Sequence, residues 1–191
     1  MADRLFFAIF PDADAAERAA HLAQRLRDGY RVSGHLVESP RLHVTLLHLG
    51  HYEGLPPRIV TAASKAAASV AMPPFDLVFD RAMSFAGQPD RRPLVLLGSD
   101  GIDTLTALCR SLTAAMTTAG LGRRMAPRYT PHMTMLYGDG ELAEQAVETI
   151  AWTVREFVLV HSVNRDRKVL YVPLGRWPLR AELPGAAITK H

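Results

Sequence analysis

The chain has 191 residues, 48% of them apolar and 21% charged, with a formal net charge of +3 and a pI near 9.3. That composition excludes a disordered or fibrous chain and leaves one domain, or two intimately packed lobes, around an ordinary core. A single cysteine, Cys109, excludes an internal disulfide and a cysteine-based zinc site, and it fits a reducing cytoplasm. The opening apolar run is too short for a signal peptide and no stretch reaches the length of a membrane helix, so a soluble, cytoplasmic monomer is expected. The basic charge comes from 19 arginines against 3 lysines; it suits a phosphate-bearing partner, and a general preference for Arg and Ala would produce it equally well.

Leu5–Phe10 reads as a first strand closed by Pro11, and Asp12 or Asp14 caps a helix over Ala13–Arg27 that Gly29 ends. Tyr30–Pro40 is a loop with a short strand at His35–Val37. A strand over Leu42–Leu49 ends at Gly50, and Pro57 opens a second helix, Arg58–Val70. Met72-Pro73-Pro74 breaks it. Phe75–Ser84 alternates as a strand, Ala86–Arg92 is a polar turn, and Leu94–Leu97 is a short apolar strand. Asp103 or Thr104 starts a third helix that Gly120 stops. A basic loop with Arg123, Arg124 and Arg128 leads past Pro131 into a strand at Met133–Tyr137. A fourth helix is expected over Glu141–Ile150, then one long strand over Trp152–Val163 and a hairpin partner at Val169–Leu174. Residues 1–178 read as one bilobal domain, and 179–191 as a loosely ordered tail.

The order nearly repeats one unit, which predicts an α+β fold with two antiparallel-rich sheets, related halves facing one another across a central groove. Each half carries the same phrase: His43-Val44-Thr45-Leu46 and His132-Met133-Thr134-Met135. In a strand, His and Thr two residues apart share a face, ~6–7 Å apart, while the intervening apolar residues point into the core. Two such phrases arise by chance with a probability below about 0.01. The competing reading is a pair of satisfied structural histidines at sheet edges.

Two imidazoles that titrate near neutrality suit paired proton transfer, one taking a proton from water and the other giving one to a leaving oxygen. Threonine hydroxyls beside them can donate to oxygens that gain charge. A phosphodiester undergoing in-line attack needs these groups. Other chemistry is thinly provided for: no G-x-S-x-G elbow, no H-E-x-x-H and no phosphate-binding G-x-x-x-x-G-K loop is present. A metal site from His43, His48 and His51 is opposed by alternation, which sends His48 to the other face of a regular strand. No cofactor and no metal are expected.

The two His-x-Thr-x phrases resemble those of the two-histidine (2H) phosphoesterase superfamily, and within it the RNA 2′,3′-cyclic phosphodiesterases long named 2′–5′ RNA ligases. Arg4-Leu5-Phe6-Phe7-Ala8-Ile9, Leu42 through Gly50, Pro131-His132-Met133-Thr134, and Ser162 through Tyr171 to Trp177-Pro178 carry the likeness over most of the chain. The resemblance implies a bilobal fold, no metal, catalytic roles for His43 and His132, and phosphate binding by Thr45 and Thr134. It implies an RNA or nucleotide substrate with a 2′,3′-cyclic phosphate, opened to a 2′-phosphate. Relatives also act on small nucleotide cyclic phosphates and 2′–5′ linkages, and a non-catalytic RNA-binding module is the alternative outside enzymology. Many relatives place an arginine shortly after the second phrase, where this chain has Leu136-Tyr137. Arg128 or Arg41 substitutes for it, or hydroxyls hold the phosphate. Tyr137 donates to the substrate, stacks on a base or simply packs, and Phe85 is either a base-stacking platform or a core residue.

Overall fold

The computed structural model describes residues 3–122, 129–165 and 168–181. It begins with strand β1 (Asp3–Ile9), helix α1 (Ala13–Gly29), short strand β2 (Gly34–Leu36) and a 3₁₀ turn (Ser39–Arg41). Strand β3 (Val44–Tyr52), helix α2 (Pro57–Ala67), strands β4 (Phe75–Ser84) and β5 (Arg92–Asp100), and helix α3 (Ile102–Thr118) follow. Four more strands follow among the described residues: β6 (His132–Gly138), β7 (Gln145–Val154), β8 (Glu156–Arg165) and β9 (Lys168–Pro178).

Helix α1 starts where Asp12 accepts a hydrogen bond from the Ala15 amide at 2.9 Å, and Ala15, Ala19, Leu22, Ala23 and Leu26 form its buried stripe. Helix α3 starts from Gly101 at φ 74°; a Cβ there would sit 2.1 Å from the Asp76 carbonyl oxygen, so the tight entry requires glycine. Its stripe is Leu105, Leu108, Cys109, Leu112 and Met116. Both stripes join one core with Leu5, Phe7 and Ile9 of β1, Leu77 and Phe79 of β4, and Ile150 and Trp152 of β7. The opposite face of β1 carries Phe6 and Ala8, packed with Val158 and Val160 in a smaller cluster.

All strand pairs are antiparallel, in the order β7-β4-β5-β6-β3-β1-β8-β9, with β2 also on β6. The two expected sheets are therefore halves of one hydrogen-bonded order, each with its His-x-Thr strand innermost. Among the described residues the two motif strands meet at one register pair, Val44 with Met133. Strands β7 and β8 stand near opposite ends of this order, yet Arg155 alone separates them in the chain. The sheet must therefore bend sharply to bring its two halves together.

Two elements differ from the expected ones. The segment read as a fourth helix, Glu141–Ile150, lies mostly in strand β7. Val147, Thr149, Ile150, Thr153 and Val154 favour extended backbone, and β4 supplies the pairing partner from Phe75–Val154 to Ala82–Gln145, with one register shift between Phe79 and Arg81. The expected strand Trp152–Val163 is two strands broken at Arg155. Buried Ile150, Trp152 and Val154 alternate in one phase, Phe157 and Leu159 in the other, and the phase slip marks the break.

Candidate active site

Val44 and Met133 are buried partners at the junction of the halves. Antiparallel register carried through that pair sets His43 across from Thr134 and Thr45 across from His132. The four side chains of the two phrases thus lie on one face, around one near-two-fold point, with the histidines on a diagonal. They line a single groove of about 420 Å³.

Each histidine is locked in the same way. His43 Nδ1 lies 2.8 Å from the Arg41 carbonyl oxygen, and His132 Nδ1 lies 2.8 Å from that of Thr130. A carbonyl only accepts, so each Nδ1 carries the proton and each neutral ring keeps a basic Nε2. Nε2 of His43 sits 3.2 Å from the Thr45 hydroxyl.

The surroundings of the two rings differ. His43 is enclosed by Phe6, Phe10 and Tyr171, with ring centroids 5.2, 5.9 and 5.3 Å away. Burial in this aromatic cage holds its pKa down to about 4, against an ordinary 6.5. The bond to Arg41 opposes that shift, and the charges of His132, Arg4 and Arg41 add to it. His132 has one ring neighbour among the described residues, Phe85, edge-on at 4.9 Å. Burial lowers its pKa too, and the bond to Thr130 pulls the other way.

Both motif strands also share a kink. Opposite β1, Phe7 pairs with Leu47 and Ala8 with Thr45, leaving Leu46 as an extra residue. Opposite β5, Val95 pairs with Thr134 and Leu94 with Leu136, leaving Met135 extra. Each bulge buries two consecutive residues and reverses the alternation. The groove face therefore continues at His48 in the first strand and at Tyr137 in the second. This corrects the expectation that His48 faces away from His43. A second slip, with Leu5 opposite Gly50 and Phe6 opposite His48, brings His51 to the same face. Among the described residues, no group of three or more His, Cys, Asp or Glu side chains is arranged to hold a metal ion.

The remaining candidates separate. Tyr137 lines the groove, 39% exposed, with the Arg91 guanidinium 5.7 Å from its ring centre. Arg41 lines the groove beside His43 and pairs with Glu38 at 3.4 Å. Phe85 is half-buried, with its ring edge-on against His132. Arg128, with Arg123 and Arg124, lies outside the described residues.

Sequence reasoning missed several groove residues. Arg4, Phe6 and Ala8 alternate on β1, and that pattern was available to find Arg4. Arg91 and His35 come from a turn and a short strand, and only tertiary pairing brings them in. Tyr129 donates a hydrogen bond to the Thr45 carbonyl oxygen and so ties the approach to the second phrase onto the first. Its burial beside Cys109 keeps it a neutral donor, and the same burial raises the Cys109 thiol to about 12. A second cavity of about 400 Å³ shares the Tyr171 wall and is lined mainly by apolar residues, among them Phe10, Leu42, Val158 and Val160.

A bent antiparallel sheet with two His-x-Thr faces in one groove defines a two-histidine phosphoesterase. Residues 5–166 match the family model described as the 2′-5′ RNA ligase superfamily, and the chain belongs to that superfamily. Its fold is similar to that of LigT from E. coli in apo form, with 28% identity, TM-score 0.73, and coverage of 94% of this chain and 98% of that one. LigT complexed with 3′-AMP is 26% identical over 94% and 99% of the two chains, with TM-score 0.72. TT0787 of Thermus thermophilus, 20% identical over 94% and 99%, shares the fold at TM-score 0.75. A comparison with curated proteins finds no match.

Proposed function

We propose that the protein hydrolyses RNA 2′,3′-cyclic phosphate ends to 2′-phosphates without a metal ion, His43 acting as base and His132 as acid. The observation that carries this reading is the convergence of the two His-x-Thr faces on one groove. Its described lining holds five histidines and three arginines and no carboxylate. Such a lining attracts an anion and leaves two imidazoles to move protons. The structures of LigT with 3′-AMP and with ATP are consistent with nucleotide binding in this fold.

In the proposed step, Nε2 of His43 takes a proton from water as its oxygen attacks phosphorus. The bond from phosphorus to the 3′ oxygen breaks, and His132, entering the step with both ring nitrogens protonated, gives that oxygen the proton on Nε2. Thr45 and Thr134 donate to the non-bridging oxygens as charge builds on them. His43 is assigned as base because its aromatic cage disfavours the protonated ring more strongly.

The test is turnover of a panel: oligonucleotides ending in a 2′,3′-cyclic phosphate, 2′,3′-cyclic mononucleotides and 2′–5′ dinucleotides, each with and without EDTA. Cyclic-phosphate oligonucleotides turn over fastest, give 2′-phosphates and are insensitive to EDTA. Loss of activity in EDTA that a divalent ion restores, or turnover confined to 2′–5′ dinucleotides, overturns the reading.

A further inference from the structure

Past the four motif side chains the groove holds a second basic cluster that the proposed chemistry does not use. The two bulges of β3 turn His48 and His51 to the groove face, with ring centroids 4.8 Å apart at 51°. Arg4 of β1 is the register partner of His51 and lines the same groove. The neighbouring acid, Asp3, points to the other side of β1, where His161 Nε2 lies 2.9 Å from its carboxylate. No Asp or Glu is among the described lining residues. Two imidazoles in ring contact, on the groove face they share with Arg4, offer an anion up to three donors.

We propose that Arg4, His48 and His51 form a second phosphate subsite, which takes the phosphate on the 5′ oxygen of the nucleotide whose cyclic phosphate lies between His43 and His132. This rests on the reading of the groove given above. The spacing suits it: His48 stands three residues beyond Thr45, ~10 Å at most along a strand, within reach of one nucleotide held by both its phosphates. The chemistry recognised is a phosphate in that position, whether a terminal monoester or the linkage to the next nucleotide of an RNA chain.

Binding measured by calorimetry tests this without any turnover. The probes are adenosine 2′-phosphate, adenosine 2′,5′-bisphosphate, and a 3′–5′ dinucleotide bearing the same 2′-phosphate at its 3′ end. The bisphosphate binds roughly tenfold tighter than the monophosphate, the worth of one charge-assisted contact. That ratio collapses toward one in His51→Ala and in His48→Ala, and a ratio is insensitive to the fraction of folded protein. A matching gain for the dinucleotide assigns the subsite to an RNA linkage, and a gain for the bisphosphate alone assigns it to a terminal monoester. Equal affinities in the wild type, a ratio that survives both substitutions, or no binding of the bisphosphate overturns the subsite. A bisphosphate gain in a protein that opens no cyclic phosphate would instead overturn the proposed function and leave the subsite standing.

Discussion

The two motif strands use one backbone device and surround it differently. At the start of β3 and of β6 the histidine donates Nδ1–H to the carbonyl two residues earlier, the threonine follows two residues later, and a bulge comes next. The environments then part. His43 is caged by Phe6, Phe10 and Tyr171, and its threonine backbone is tied down by Tyr129. His132 leans on Phe85, and its strand leads to an exposed Tyr137 where β3 leads to His48. Repetition supplies a symmetric pair of tools. Burial lowers the proton affinity of both, and the aromatic cage takes His43 down to about 4, the asymmetry on which the proposed base and acid roles rest.

The largest break in this comparison comes from removing either imidazole. His43→Ala and His132→Ala each lower turnover by roughly 10²–10⁴, measured on a cyclic-phosphate oligonucleotide. Near-wild-type turnover in either variant contradicts the paired role. Next come the hydroxyls: Thr45→Ala and Thr134→Ala each lose roughly 10²–10³ in kcat, the cost of one donor to a developing anion. Both side chains are only half-buried on the groove face, so denaturation midpoints move little.

A smaller effect separates the two histidines through stability. The folded pKa of His43, about 4, lies below its unfolded 6.5, so the unfolded chain binds more protons between those values. The stability that depends on a neutral His43 is complete above about pH 6.5 and is lost as pH falls through about 4, in total about 3 kcal/mol. Urea unfolding of wild type and His43→Asn at pH 7 and pH 4.5 measures it. The wild type loses more than the variant, and equal losses would show that burial does not hold the ring neutral.

Much of the site is readable from residues alone because strand alternation couples His to Thr and hides the residue between them. The pairing of the phrases in one groove follows from their repetition. What escapes depends on register. The bulges at Leu46 and Met135 leave no mark in composition, so regular alternation puts His48 on the wrong face and leaves His51 in a connection. Glu141–Ile150 reads as a helix until β4 supplies a partner for its later half. The aromatic cage of His43 draws on β1, the segment after it and β9. No local pattern joins those elements, yet their contacts bury the His43 ring, on which the proposed acid–base assignment rests.

The most direct test of an unlike pair is kcat/KM against pH for the wild type and the two alanine variants on one cyclic-phosphate substrate. Burial lowers both histidines, so the wild-type profile is a bell with its maximum on the acidic side of neutrality. His43→Ala loses the rising acidic limb and keeps the alkaline fall, whereas His132→Ala loses the alkaline fall and keeps the rise. If the variants lose the opposite limbs, the roles are reversed; if both keep the full bell, the histidines are not the proton carriers and the account is wrong.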